Sequence, residues 1–470
     1  MTERSLEDLL SDSVSPAVML RNSQAGPNVY PGVPAEFTNW RDEQLAWQRT
    51  CVLFNQSYHM AELAVRGPDA LTLLSHLGVN SFATFAVDKA KQFVPCTPDG
   101  YVIGDVILFA LAENEFNMVG RAPVLNWVTF HARTGGYDVE LERDERSALR
   151  SDGRRRSYRF QLQGPRAMDV IDAVLGRSAP ELKFFNMTTV TIAGRPVRAL
   201  RHGMAGQAGW ELFGPWDDGE AVRDALVTVG TEFGLRQVGG RAYSSNALES
   251  GWIPSPLPAI YTGEALAGYR RWLPAAGYEG AASIGGSFYS VDIEDYYFTP
   301  WDLGYGHLVK FDHEFIGRDA LARMADEDEH RVKVTLTLDD DDVSHTIGTM
   351  FGPVAERAKF MDWPSAVYAM HPFDKVTVMG GTVGVSTWIG YSANEGKMLT
   401  LAVLDAQHAE PGTEVTLVWG EEDGGSAKPT VERHVQTRIR AVVAPVPIVE
   451  SVRRSYAPDS WRATPSRSSR

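Results

Sequence analysis

Apolar residues follow two different rhythms along this chain. Up to about residue 330, short apolar runs alternate with stretches whose apolar positions recur every three or four residues. The segments Leu63–Leu74 (LAVRGPDALTLL) and Phe160–Ile171 (FQLQGPRAMDVI) each read as a strand, then Gly-Pro, then an amphipathic helix. Glycine permits the tight bend, and proline suits a first helical turn. The two segments lie about 97 residues apart, and form a weak internal repeat that predicts a duplicated α+β core. Residues 220–233 predict another helix, with Val222, Ala225, Leu226, Val229 and Phe233 on one face. Beyond residue 330 the period falls to two. RVKVTLTL (Arg331–Leu338) alternates polar and apolar as a half-buried strand does, and the run Asp339–Asp342 ends it. KVTVMGGTVG, TEVTLVWG and TRIRAVVAPV follow, punctuated by glycine and proline at strand–turn spacing. They predict a small all-β domain or barrel reaching to about Pro447.

Charge marks the breaks. Arg143–Arg156 (RDERSALRSDGRRR) has almost no apolar content and reads as a linker or long loop; Asp326–His330 (DEDEH) is a second break. Ser451–Arg470 carries five arginines among serines and prolines and reads as a mobile tail of solvated charges. The expected organisation is 1–145 and 146–330 as two parts of the α+β core, 331–450 as a β-barrel domain and 451–470 as a flexible tail.

Composition acts mainly by exclusion. The chain has 470 residues, 44% of them hydrophobic and 22% charged, a globular balance that rules out disorder and coiled coil. Its net charge of −15 makes it a poor partner for nucleic acid or anionic lipid. Cys51 and Cys96 are its two cysteines, too few for a disulfide scaffold, a four-cysteine zinc site or an iron–sulfur cluster. No apolar run approaches the ~18 residues of a membrane span, and the start, MTERSLEDLLSDS, is too acidic and polar for a signal peptide. These features predict a soluble protein of the reducing cytoplasm, without membrane contact. The chain lacks GxGxxG after a strand, GxxxxGK[ST], HExxH, CxxC and GxSxG, and its histidines do not pair at metal spacing. Nicotinamide, flavin, P-loop and metal chemistry are therefore disfavoured.

The segment Leu53–Ala70 (LFNQSYHMAELAVRGPDA) resembles the LFDxSHM…GPDA stretch of the glycine-cleavage T-protein (aminomethyltransferase) family. TPDGYVIGDVILF (Thr97–Phe109), LQGPRA (Leu162–Ala167), GQAGWELFGP (Gly206–Pro215), NALESGW (Asn246–Trp252) and FDHEFIGRDAL (Phe311–Leu321) match further landmarks of that family in order. The resemblance implies a T-protein-like three-domain ring with tetrahydrofolate at its centre and one-carbon transfer as the activity, with no metal. Departures narrow it. The first acid of the family's Asp-Asp pair, which handles aminomethyl chemistry, is Gly104 here, and only Asp105 remains. MLRNSQ, NQSYHM, VGRAP, LKFFNM, LRHGMAG and Arg241–Gly263 (RAYSSNALESGWIPSPLPAIYTG) look like the branch of tetrahydrofolate-dependent aryl O-demethylases. That branch acts on lignin-derived methoxybenzoates such as vanillate, 3-O-methylgallate and syringate.

Each candidate residue has a plainer reading beside the functional one. Arg121, at a strand end, is either a surface ion pair or a bidentate clamp on a benzoate carboxylate; the resemblance implies the clamp. Gln56 and His59 belong to the polar step Gln56-Ser57-Tyr58-His59. They are either structural or part of a pocket for phenol and methoxy oxygens. Tyr243 is either packing or, as the resemblance implies, the catalytic tyrosine, whose ordinary pKa of ~10 matches that of a departing phenolate. Glu211 is either an edge-strand glutamate or a carboxylate gripping the pterin N–H donors, as the family match implies. Gln163 and Trp252 could add pterin hydrogen bonding and stacking, or serve as a turn cap and a core tryptophan. The expectation is a methyltransferase acting on a small aromatic acid, with tetrahydrofolate as methyl acceptor. The alternatives are a sulfonium or N-methyl amine substrate on the same fold, or a folate-binding module without turnover.

Overall fold

The computed structural model describes residues 4–204, 206–254 and 256–456, with Ser460 and Arg462. Two open sheets and one closed barrel carry the fold. The first sheet has the spatial order Ala90–Phe93, Val106–Ala112, Glu115–Gly120, Ala61–Arg66, Glu140–Asp144, all antiparallel. The second has the order Leu235–Val238, Cys51–Asn55, Ser157–Gln163, Gly209–Pro215, Arg195–Arg201, Met187–Ile192. Its first pair runs parallel and the rest antiparallel. Strand Cys51–Asn55 therefore lies in a sheet otherwise built from residues 157–238, so the break near 145 divides the sequence but not this sheet.

The internal repeat is real at the level of local structure. Strand Ala61–Arg66 leads to helix Ala70–Leu77, and strand Ser157–Gln163 leads to helix Ala167–Leu175. Pro68 and Pro165 lie just ahead of the caps Asp69 and Arg166 rather than inside the first turn. The glycines carry the bend: φ is +133° at Gly67 and +126° at Gly164, a region side chains rarely enter. A Cβ on Gly164 would also lie 2.6 Å from the Thr50 carbonyl oxygen. The predicted helix over 220–233 is present as Gly219–Gly230, extended by a tighter turn over Thr231–Phe233, with Val222 and Leu226 buried.

The period-two region closes into a six-stranded barrel: Val332–Leu338, Lys397–Leu404, Gly381–Ser392, Asp374–Val378, Glu414–Trp419, Thr437–Ala444. Val334, Leu336, Leu417, Trp419 and Ile439 fill its interior. The acidic run after its first strand does more than stop it. Asp339 caps the helix Asp340–Gly348 by accepting from the Asp342 amide, and the following acids favour a helix N-terminus.

Two readings need refinement. The charged segment 143–156 is, after Asp144, the long loop expected between strands Glu140–Asp144 and Ser157–Gln163, but its charges do not all meet solvent. Asp144 and Arg155 are each 3% exposed. Arg155 Nε lies 2.9 Å from Asp144 Oδ2, and Arg150 Nη1 lies 2.8 Å from Asp144 Oδ1. The charges neutralise one another across the chain, which permits burial that composition alone does not reveal. The start of the tail is also ordered: Glu450–Arg454 is helical, Val452 is buried, and a Cβ on Gly206 would overlap Val452. Residues 463–470 lie outside the described residues.

Replacing Gly164 with alanine should cost ~1–3 kcal/mol, because the residue must hold a strained φ beside the Thr50 carbonyl. Urea unfolding would show this as a lower midpoint; an unchanged midpoint would mean that the turn can relax.

Candidate active site

A cavity of about 1370 Å³ opens where the two sheets, the segments 244–258 and 301–310, and the first barrel strand meet. Gln56, His59, Arg121, Glu211, Tyr243 and Trp252 all line it.

The turn after strand Cys51–Asn55 is pinned from below. The Gln56 amide donates to the Arg159 carbonyl at 2.9 Å. The Arg159 amide donates to Ser57 Oγ at 2.9 Å. Arg155 Nη1 donates to the carbonyls of Ser57 (2.8 Å) and Met60 (2.6 Å). Only part of the polar step faces the cavity: the Tyr58 ring packs edge-on to Trp216, at 5.6 Å. His59 instead joins a cluster of rings. Its centroid is 4.9 Å from both Tyr30 and Tyr243, and those two rings are 4.4 Å apart. Tyr243 ends the short helix Gly240–Tyr243 and is 4% exposed. Its hydroxyl lies 3.9 Å from Met204 Sδ, which the Gln56 amide also touches.

Burial makes this cluster neutral. It pushes the Tyr243 phenol well above its ordinary value; nearby Tyr30 adds to the rise, and the Gln56 hydrogen bond opposes it. Burial likewise raises Tyr30, against the pull of Arg121. His59 is drawn down to about 3, by burial first and then by the positive charges of Arg121 and Arg155. Its Nδ1 is buried without a partner.

Arg121 follows strand Glu115–Gly120 and caps helix Ala122–Thr134. A cation at a helix N-terminus opposes the helix dipole. Among the described residues Arg121 makes no ion pair or hydrogen bond, and its Nη1 is buried without a partner.

Glu211 lies on an inner strand, not an edge, between Ser157–Gln163 and Arg195–Arg201. Arg159 Nη1 is 2.5 Å from its Oε1, and His202 Nδ1 is 3.5 Å from its Oε2. Burial alone would raise this carboxyl, but Arg159 and His202 outweigh it and hold Glu211 below the ordinary range. Trp252 is 38% exposed and donates from Nε1 to Asp105 Oδ2 at 3.3 Å; Gln92 donates to the same oxygen at 2.9 Å. Burial raises Asp105 despite these bonds. Lys333, also on the cavity wall, is lowered to about 8 by burial, with Asp105 opposing. Gln163 stands apart from the other candidates. It is not on the cavity wall, and its Oε1 accepts from the Met204 amide at 2.6 Å. It supports the loop whose Met204 reaches Tyr243.

Tyr30, Asp105 and Met204 escaped the sequence reading as site residues. Tyr30 sits in an irregular Pro/Gly-rich stretch without periodicity. Asp105 was visible as the surviving acid of a pair, but nothing in the sequence gave it partners. Among the described residues no group of three or more His, Cys, Asp or Glu side chains is arranged to hold a metal ion. No described helix is long and apolar enough to cross a membrane.

The fold is that of the glycine-cleavage aminomethyltransferases. The GCVT N-terminal domain model matches residues 17–255, and the chain belongs to that family. A syringate O-demethylase from a Sphingobium species is 60% identical over 459 residues, covering 98% of this chain and 99% of that one. A sesamin methylene transferase from a Sinomonas species is 31% identical, covering 83% of this chain and 86% of its own length. The crystal structure of glycine cleavage system aminomethyltransferase T from Bartonella henselae shares the fold, with a TM-score of 0.59 at 19% identity over 91% of this chain and 92% of that one. The protein is therefore an enzyme of folate-dependent methyl transfer.

His59 should stay uncharged throughout the working range. Its ring-proton NMR shifts should be flat from about pH 8 to about pH 5, where an ordinary histidine titrates near ~6.5 and this one does so only near about 3. A midpoint near 6.5 would show that Arg121 and burial do not act on it as described.

Proposed function

We propose that the enzyme removes the methyl group of a methoxybenzoate, such as syringate, vanillate or 3-O-methylgallate, and passes it to N5 of tetrahydrofolate. The observation that carries this reading is Arg121, a cation with no direct ion pair or hydrogen bond among the described residues, in a cavity whose neighbouring Tyr30, His59 and Tyr243 are neutral. Arg121 is half-buried, but its Nη1 is buried without a partner; an unmet buried donor costs ~1–3 kcal/mol, and a substrate carboxylate would meet it. The same cation disfavours a sulfonium or protonated amine. The 60% identity to a syringate O-demethylase supports the substrate class.

The cavity fits the folate partner: it is large, and it presents the Glu211 carboxylate and the Phe185 and Trp252 rings. Glu211 would accept from the pterin N–H donors, with Trp252 beside it; Gln163 would act indirectly, through the Met204 loop. Bound tetrahydrofolate supplies the N5 lone pair that accepts the methyl carbon. The chain's own residues orient the ether and receive the charge that grows on its oxygen. Tyr243 remains a protonated phenol, so it can donate a hydrogen bond to that oxygen without surrendering its proton. Gln56 and neutral His59 line the same space and hold the remaining ring oxygens. Rate then comes from orientation and from stabilisation of the leaving oxygen. The free thiols Cys51 and Cys96 are buried and suit a reducing compartment, and we place the enzyme in the cytoplasm. The net charge of −15 leaves nucleic acid and anionic membranes unsuited as partners.

Arg121→Ala should raise KM for syringate or vanillate by the worth of a charge-assisted pair, ~1.5–3 kcal/mol. Guaiacol, which lacks the carboxylate, should be a poor substrate of the wild type. Equal turnover of vanillate and guaiacol would remove the clamp. Tyr243→Phe should lower kcat by roughly 10²–10³-fold with little change in substrate affinity, as loss of one oxyanion donor does. The defect should shrink for substrates with more acidic phenols. Near-normal kcat, or the same dependence on leaving-group acidity in both proteins, would reduce Tyr243 to packing.

A further inference from the structure

Arg159 touches both halves of the cavity. Its backbone amide donates to Ser57 Oγ, and its carbonyl accepts from the Gln56 amide, at 2.9 Å each. These bonds fix the turn that carries Gln56 and His59. Its side chain runs the other way, to Glu211 Oε1 at 2.5 Å and to Glu62 Oε2 at 3.6 Å. The side chain is 1% exposed, and its guanidinium packs against the Phe109 and Phe213 rings, 4.8 and 4.5 Å from their centroids, which themselves meet edge-on at 5.3 Å. Phe109 belongs to the first sheet and Phe213 to the second, so the side chain is clamped at the seam between them.

We propose that Arg159 is a positioning residue that orients the Glu211 carboxylate and fixes its distance from the Gln56–His59 turn, keeping methyl acceptor and methyl donor in register. This rests on Glu211 being the group that accepts from the folate.

The charge balance around Glu211 makes the case. Its neighbours are Arg159, His202 on the loop after Arg195–Arg201, and Tyr243 across the cavity; Glu62, on strand Ala61–Arg66 of the first sheet, shares the Arg159 guanidinium. Glu62 is satisfied in turn by Ser157 Oγ at 2.6 Å and Asn117 Nδ2 at 2.7 Å. Arg155 Nη2 lies 3.9 Å from it. With Arg159 in place, both carboxyls sit below their ordinary range although burial alone would raise them. Without the guanidinium, Glu211 loses the strongest influence that opposes its burial, so it would take up a proton at a higher pH than in the wild type. A protonated acid presents an O–H donor toward the pterin donors and cannot grip them.

The sign follows. In the wild type Glu211 is depressed, so its grip persists as pH falls through the neutral and mildly acid range. In Arg159→Met it is raised, so the grip is present at high pH and lost as pH falls. The test is calorimetric titration of tetrahydrofolate, under anaerobic conditions, from about pH 8 to about pH 6. Wild type and Arg159→Lys should give flat affinity. Arg159→Met should bind more than tenfold more weakly at the acid end and recover toward the alkaline end, and syringate affinity should not depend on pH in the same way. If Arg159→Met does not fold, Arg159→Met with Glu62→Gln removes the competing acid, and the same slope is expected from Glu211 alone. A flat profile for the methionine variants, with Glu211→Gln defective, overturns the role of Arg159 only. Full folate affinity in Glu211→Gln overturns the assignment of Glu211 itself.

Discussion

Arg121 brings a guanidinium to a cavity where burial keeps Tyr30, His59 and Tyr243 uncharged; Asp105 feels its charge from the same wall, but no described side chain pairs with it directly. Much of the site's behaviour follows from that imbalance. The positive charge helps hold His59 neutral, opposes the rise of the two phenols and calls for an anionic group from the ligand. It sits where the helix dipole adds to the demand, because Arg121 caps Ala122–Thr134. An overall acidic chain thus presents a cation without a direct partner on the cavity wall.

The opposite strategy holds the scaffold together. Arg155 with Asp144, and Arg159 with Glu211 and Glu62, are buried and mutually compensated. They tie the Gln56–His59 turn, the first sheet and the second sheet into one unit. Buried pairs of this kind add little net stability against apolar packing of the same shape. Their value lies in fixing where the neighbouring polar groups stand. The contrast between paired arginines below the cavity and an unpaired one on its wall distinguishes framework from binding group more sharply than burial does.

Much of this was legible in the sequence. The period-two stretches named four of the six barrel strands, from RVKVTLTL to TRIRAVVAPV, and the two Gly-Pro segments located the strand–helix units of both sheets. Arg121, His59, Gln56, Tyr243, Glu211 and Trp252 do line one cavity, though they are spread over nearly 200 residues of chain. What was not legible depends on pairing in space. Asp144 and Arg155 read only as part of a charged linker or long loop because charge is counted along the chain, whereas their partners are set by the fold. Tyr30 has no periodic neighbours to mark it, yet its ring stacks on Tyr243. Val452 read as part of a mobile tail because nothing local reveals the notch at Gly206 that receives it. Gln163 read as either a pterin contact or a turn cap, and nothing local reveals that its Oε1 accepts from the Met204 amide.

The central claim is direct transfer of an aryl methyl group to the folate, and the fate of that carbon tests it most directly. The enzyme would be mixed with tetrahydrofolate and syringate carrying carbon-13 in its methoxy groups, and the products followed by NMR. The account predicts that label appears on the N5-methyl carbon of the folate, one equivalent for each ether cleaved, together with the demethylated phenol. Label recovered as methanol or formaldehyde, or ether cleavage that proceeds without tetrahydrofolate, would contradict it.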